Sequence, residues 1–68
     1  MNTFILLTED GTFLSVHSSI IKAEQEAKEL GIPEKTYVKE YRVNETTPVS
    51  MWDWNSERKC FVCSSYNP

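Results

Sequence analysis

The stretch Phe4–Val16, FILLTEDGTFLSV, decides the fold of this 68-residue chain. Two runs of β-formers flank Asp10-Gly11. An Asp-Gly pair in that setting is a strong hairpin signal, because a tight type I′ turn needs positive φ at both central positions. With Asp10 and Gly11 as a two-residue loop, Glu9 faces Thr12, Leu7 faces Leu14 and Ile5 faces Val16. Side chains alternate across a strand. Ile5, Leu7, Leu14 and Val16 therefore share one face, and Phe4, Leu6 and Phe13 the other. Both faces of the hairpin are apolar, so each needs a cover.

A helix follows. Ser18 or Ser19 is the expected N-cap. Ile20, Ala23, Ala27 and Leu30 recur at helical spacing and form one narrow stripe. The two alanines let the helix lie close to a sheet, and Glu24 and Lys28 form a favourable i,i+4 pair. Gly31 suits the left-handed position after the last turn, Ile32 supplies the accompanying hydrophobic contact, and Pro33 stops the helix.

Thr36–Val43 alternates as a third strand, with Tyr37, Lys39, Tyr41 and Val43 on one face and Val38, Glu40 and Arg42 on the other. Residues 44–48 read as a loop. Val49–Trp54 and Lys59–Ser64 form a second hairpin around residues 55–58, with Trp54 facing Lys59, Trp52 facing Phe61 and Met51 facing Val62. Residues 65–68 read as a frayed tail. The order is β-β-α-β-β-β, an α+β fold with a mainly antiparallel sheet and one helix packed on one face. A right-handed crossover places strands two and three parallel on either side of strand one. The C-terminal hairpin then either extends the sheet beyond strand three or folds over its free face.

Three segments, DGTFLSVHSS, IIKAEQEAKELG and TYVKEYRVNE, together resemble a recurrent small domain of bacteriophages. That domain has a strand, a DG-type turn, a strand ending in SS, an AE..A..LG helix and a strand ending in EY.V. The resemblance spans Phe4–Glu45, about two thirds of the chain. It implies a phage or prophage source and a role in host interference. The segment from Thr46 onward, with its two tryptophans, lies outside the resemblance.

Size and composition bound the rest. By surface scaling a chain of this mass folds to roughly 4,400 Å² and buries about 60% of its unfolded surface, enough for one small core. Residues 1–68 thus form a single domain, too small for a Rossmann domain or a TIM barrel. Ten acidic against seven basic residues give a net charge of −3, which argues against nucleic acid as a partner, because phosphate contacts call for a basic excess. The longest apolar run, Phe4–Leu7, is far too short to span a membrane, and Met1-Asn2-Thr3 lacks the basic start of a signal peptide. The expected location is the cytoplasm of a host cell. The sequon Asn44-Glu45-Thr46 is read as chance.

Catalytic constellations are missing. Cys60 and Cys63 have CxxC spacing, but with His17 they leave a zinc site one ligand short, and residues three apart on a strand point to opposite faces. They are read as structural thiols, and His17 as a surface residue near the helix start. The helix glutamates alternate with lysines as on a solvated face. No enzyme activity, cofactor or metal is expected.

Trp52 and Trp54, with Phe61 and Tyr66, are the sharpest feature. Tryptophan is favoured at binding hot spots, yet both indoles could equally form core on the second sheet face, or one could do each. A single helix covers one face only, which leaves Phe4, Leu6 and Phe13 to be covered by the C-terminal hairpin, a second copy or a target. The expectation is a protein-binding module that inhibits or redirects a bacterial host protein, a defence or transcription factor, by stoichiometric contact. The partner-binding residues would be Trp52, Trp54, Phe61, Phe4, Phe13 and Tyr41. A homodimer through the sheet is a further option. The alternatives are a nucleic-acid or nucleotide-binding regulator using Lys39, Arg42, Arg58 and Lys59, and a phage structural or assembly accessory protein.

Overall fold

In the computed structural model, which describes residues 2–66, the chain runs β1 (Asn2–Thr8), β2 (Phe13–His17), α1 (Ile20–Leu30), a 3-10 turn (Pro33–Lys35), β3 (Thr36–Arg42), β4 (Ser50–Asn55) and β5 (Cys60–Tyr66). All five strands join one sheet in the order β2-β1-β3-β4-β5, and every neighbouring pair is antiparallel. This is the expected α+β architecture. β2 and β3 both oppose β1, so they run parallel to each other. The C-terminal hairpin extends the sheet and does not fold over it. Residues 65 and 66 belong to β5 and not to a tail; residues 67 and 68 lie outside the described residues.

The first hairpin departs from the two-residue loop. Thr8 N–H donates to Thr12 O at 2.9 Å and Gly11 N–H to Thr8 O at 2.9 Å, which makes Glu9-Asp10-Gly11 a three-residue loop. Gly11 alone in it takes positive φ, at 89°. Asp10 is used differently from the type I′ expectation. Its carboxylate accepts from Thr8 Oγ1, from Thr12 N–H at 3.0 Å and from Thr12 Oγ1 at 2.8 Å, clamping the loop from inside. Those bonds, the one from Thr8 foremost, hold its carboxyl below the usual range. Leu7 now faces Phe13, and an irregularity between Leu6 and Leu7 leaves Leu14 as an extra residue on β2. The longer loop and the bulge cancel, so Ile5 still faces Val16. Leu14 instead packs against the core under the helix.

Ser19 caps α1, its side chain accepting from Lys22 N–H at 3.2 Å. Gly31 ends it at φ 78°, its N–H returning to Lys28 O. Ala23 and Ala27 are fully buried against Leu6, Val38 and Phe61, while Leu30, at the end of the expected stripe, is exposed. The 3-10 turn was not apparent from the pattern. Pro33 starts it, and Pro33 O accepts the hydroxyl of buried Thr36 at 2.8 Å.

The second hairpin is shifted by one residue at its loop. Asn55 faces Cys60, and Lys59, at φ 55°, closes the loop with its N–H on Asn55 O at 2.7 Å. Asn55 ends β4, and its Oδ1 accepts Arg58 N–H at 2.9 Å across the turn that follows. Trp54 therefore faces Phe61, and Trp52 faces Cys63. A shift of two in pairing preserves side-chain parity, so Trp52, Trp54 and Phe61 still share a face.

The registers fix the two faces of the sheet. Leu6 faces Val38 and Val38 faces Trp52. Phe4, Leu6, Leu14, Val38, Trp52, Trp54 and Phe61 accordingly gather on the helix side around one core. Phe4 and Leu6, expected on the uncovered face, are the ones the helix covers. The face without a helix among the described residues carries Ile5, Leu7, Phe13 and Val16 of the first hairpin. Replacing Leu6 by Ala should cost about 2–5 kcal/mol of stability, whereas Ile21→Ala, at a 62% exposed position of α1, should stay within about 0.5 kcal/mol, as read by urea unfolding.

Candidate functional site

The six aromatic candidates do not form one patch. Phe61 is buried, and Phe4, Trp52 and Trp54 pack half-buried against the same core on the helix side. Trp54 meets Phe61 edge-on at 5.5 Å between centroids, and Lys28 Nζ lies 6.0 Å from its ring centre. Glu24 also turns to the sheet, accepting Phe61 N–H of β5 at 3.3 Å. Phe13 and Tyr41 stand on the opposite, open face: Phe13 pairs with Leu7, and Tyr41 with Thr3. The side chain of Tyr66 lies outside the described residues.

That open face is a broad apolar surface. The β1 residues Ile5 and Leu7 have Phe13 and Val16 on one flank and Tyr37, Lys39 and Tyr41 on the other. Met51, Asp53 and Val62 continue it across β4 and β5. Phe13 is 58% exposed and Val16 53%, while Ile5, Leu7, Tyr37, Tyr41, Met51 and Val62 are half-buried by one another. The alternation of Tyr37, Lys39 and Tyr41 was the sequence signal for this face. Its extension across β4 and β5 depends on the order of the strands.

A polar node sits on the helix side, beyond the core. Glu40 accepts from Asn2 Nδ2, from Ser50 Oγ at 2.5 Å and from Trp52 Nε1 at 3.1 Å. The Trp52 N–H also reaches Ser50 Oγ at 3.2 Å. Burial works against ionisation of Glu40. The hydrogen bonds from Ser50, Asn2 and Trp52, with the charge on Arg42, outweigh it and hold the carboxyl below the usual range. Glu40 was legible only as a polar residue in an alternating strand, because its partners come from 10 to 38 positions away.

Past Tyr37–Asp53 the β3–β4 ladder stops, although β4 continues with β5 to Asn55. A shallow cleft of about 380 Å³ opens there, lined by Glu9, Glu34, Thr36, Tyr37, Met51, Asp53 and Trp54. The basic residues are dispersed: Lys39 is on the open face, Arg42 at the end of β3 that pairs with Asn2, and Arg58 and Lys59 in the β4–β5 turn at the other end. Cys60 pairs with Asn55 and Cys63 with Trp52, on opposite faces of β5. His17 Nε2 lies 2.7 Å from Ser15 Oγ. Among the described residues no cluster of three or more His, Cys, Asp or Glu could hold a metal, and no helix is long and apolar enough to cross a membrane.

Comparison with known protein families, curated proteins and solved structures finds no match to this chain.

The depressed Glu40 carboxyl has a stability consequence of definite sign. Its contribution is complete above the ordinary glutamate value of about 4.3 and is lost as pH falls through the lower folded value. Glu40→Gln should flatten the acid limb of the stability curve below about pH 4.3 relative to wild type. In wild-type NMR spectra the indole N–H resonance of Trp52 should titrate over that range while that of Trp54 stays put. Parallel acid limbs, or two indoles moving together, would contradict this.

Proposed function

We propose that this protein works by stoichiometric binding of another protein through its open sheet face, and that the bound protein is a bacterial host factor in the host cytoplasm. The observation that supports this is the contiguous surface of Ile5, Leu7, Phe13, Val16, Tyr37, Tyr41, Met51 and Val62, spread over all five strands opposite the helix. Extended apolar surface of this kind, enriched in Tyr, Phe and Met, is typical of protein docking sites. The docking residues are therefore reassigned. Phe13 and Tyr41 remain, Ile5, Leu7, Val16, Tyr37, Met51 and Val62 join them, and Trp52, Trp54, Phe61 and Phe4 serve the fold. The host target follows from the resemblance to the phage domain. The dispersed lysines and arginines lend no weight to a nucleic-acid interface, which relies on a basic stripe.

The test is capture from bacterial lysate on immobilised full-length chain. One protein should be retained in stoichiometric amount by wild type and by Lys22→Ala, on the exposed side of α1, and lost with Val16→Lys and Tyr41→Lys. Retention should change little with salt. Retention unaffected by both face substitutions would sink this assignment. Bound nucleic acid that elutes steeply with salt would do the same.

A further inference from the structure

We propose that in the free protein the open sheet face is covered by a second copy of the same chain, the two sheets packing face to face about a two-fold axis, with Lys39 of each copy meeting Asp53 of the other. This rests on the reading of that face as the docking surface. It names the occupant when no target is bound, and a target using the same face competes with the second copy.

Charge is the first argument. In the β3–β4 ladder Lys39 faces Met51 and Asp53 faces Tyr37. The two are therefore diagonal neighbours on the open face, roughly 7–8 Å apart. Among the described residues they are the charged side chains that the strand positions place on this face. At the end of the face where the cleft opens, Glu9 and Glu34 stand on the same rim as Asp53, so Lys39 and Asp53 are the opposite charges set within the face itself. A two-fold axis lying in the interface and bisecting the line from Lys39 to Asp53 sets each charge opposite its complement. A two-fold contact uses the same patch on both subunits, and one cation beside one anion is the pattern that satisfies itself.

Area is the second. Five strands about 4.8 Å apart and about 20 Å long give a face of roughly 400 Å² in projection. With side-chain relief, two such faces bury on the order of 1,000 Å², the threshold of a specific interface. Two sheets stack about 10 Å apart, a spacing that the rings of Tyr37, Tyr41 and Phe13 can fill. The resulting dimer has four layers, helix-sheet-sheet-helix, and leaves each helix outermost.

Sedimentation equilibrium of the full chain tests this. Wild type should sediment as a dimer of the 7.9 kDa chain. Lys39→Asp puts two acidic groups on the face and Asp53→Lys two basic ones. Each variant alone should self-associate more than about tenfold more weakly, and an equimolar mixture should recover the dimer, which an ion pair within one chain could not achieve. A wild-type chain that stays monomeric at millimolar concentration overturns the second copy and leaves the docking face to the capture experiment. A dimer untouched by either substitution, or folded variants that fail to pair when mixed, also overturns it. Should either charge variant fail to fold, Val16→Lys on the exposed rim of the same face must weaken the wild-type dimer, and a dimer indifferent to it overturns the proposal.

Discussion

Ala23 and Ala27 packed on Leu6 and Val38 are the contact on which the rest of the structure depends. Two alanines let the helix approach the middle of the sheet more closely than larger side chains would. Whatever is bulky must then lie to the sides. Leu14 fills the β2 side, where the bulge delivers it, and Trp52, Trp54 and Phe61 fill the side of β4 and β5. The tryptophans are peripheral supports of a core whose centre is small. This explains why they are half-buried and why their helix-side neighbours Lys28 and Glu24 reach over them to the ring of Trp54 and the backbone of Phe61.

The same contact limits what the helix can cover. Eleven residues span about 16 Å, whereas the seven-residue strands β1 and β3 span about 23 Å. Part of the helix-side face therefore extends beyond the core, and there the chain changes chemistry. Glu40 follows Val38 on that face and gathers Asn2, Ser50 and the Trp52 N–H. A carboxylate with three donors tolerates partial burial where an unpaired one would not. The node also gives the indole of Trp52 a fixed orientation, tying β1, β3 and β4 together where the helix does not reach.

Local features were legible in the sequence, while features that depend on distant pairing were not. The helix limits follow from Ser19, Gly31 and Pro33, each acting within a few residues. The strand order 2-1-3 follows from one hairpin and one crossover. The choice of covered face does not, because the first hairpin is apolar on both sides and cannot by itself prefer one. That choice is made by Val38 pairing with both Leu6 and Trp52 across strands far apart in the chain. Following that line across the sheet puts the largest side chains with Leu6, and the helix packs where they accumulate. The longer loop leaves the rest of the hairpin in the expected register for a physical reason. Asp10 drew its threonines into a longer turn, and the bulge at Leu14 restored the register that a two-residue loop would have produced.

A sheet of this kind can associate along an edge or through a face, and the structure treats the two routes differently. An exposed edge strand invites pairing with another chain unless it is short, bulged or covered. β2 has five residues and carries the Leu14 bulge, while β5 carries an irregularity opposite Met51 and Trp52. The Phe61 N–H on β5 is already bonded to Glu24. Both edges are thus obstructed by devices within the fold. The open face has no such device. Lys39 and Asp53 are the opposite charges set within it, and apolar side chains flank them from β2 to β5. In a chain that buries so little surface on its own, covering this face adds stability that depends on the concentration of whatever covers it. Association through the face therefore couples folding to binding, and association through an edge would not need to.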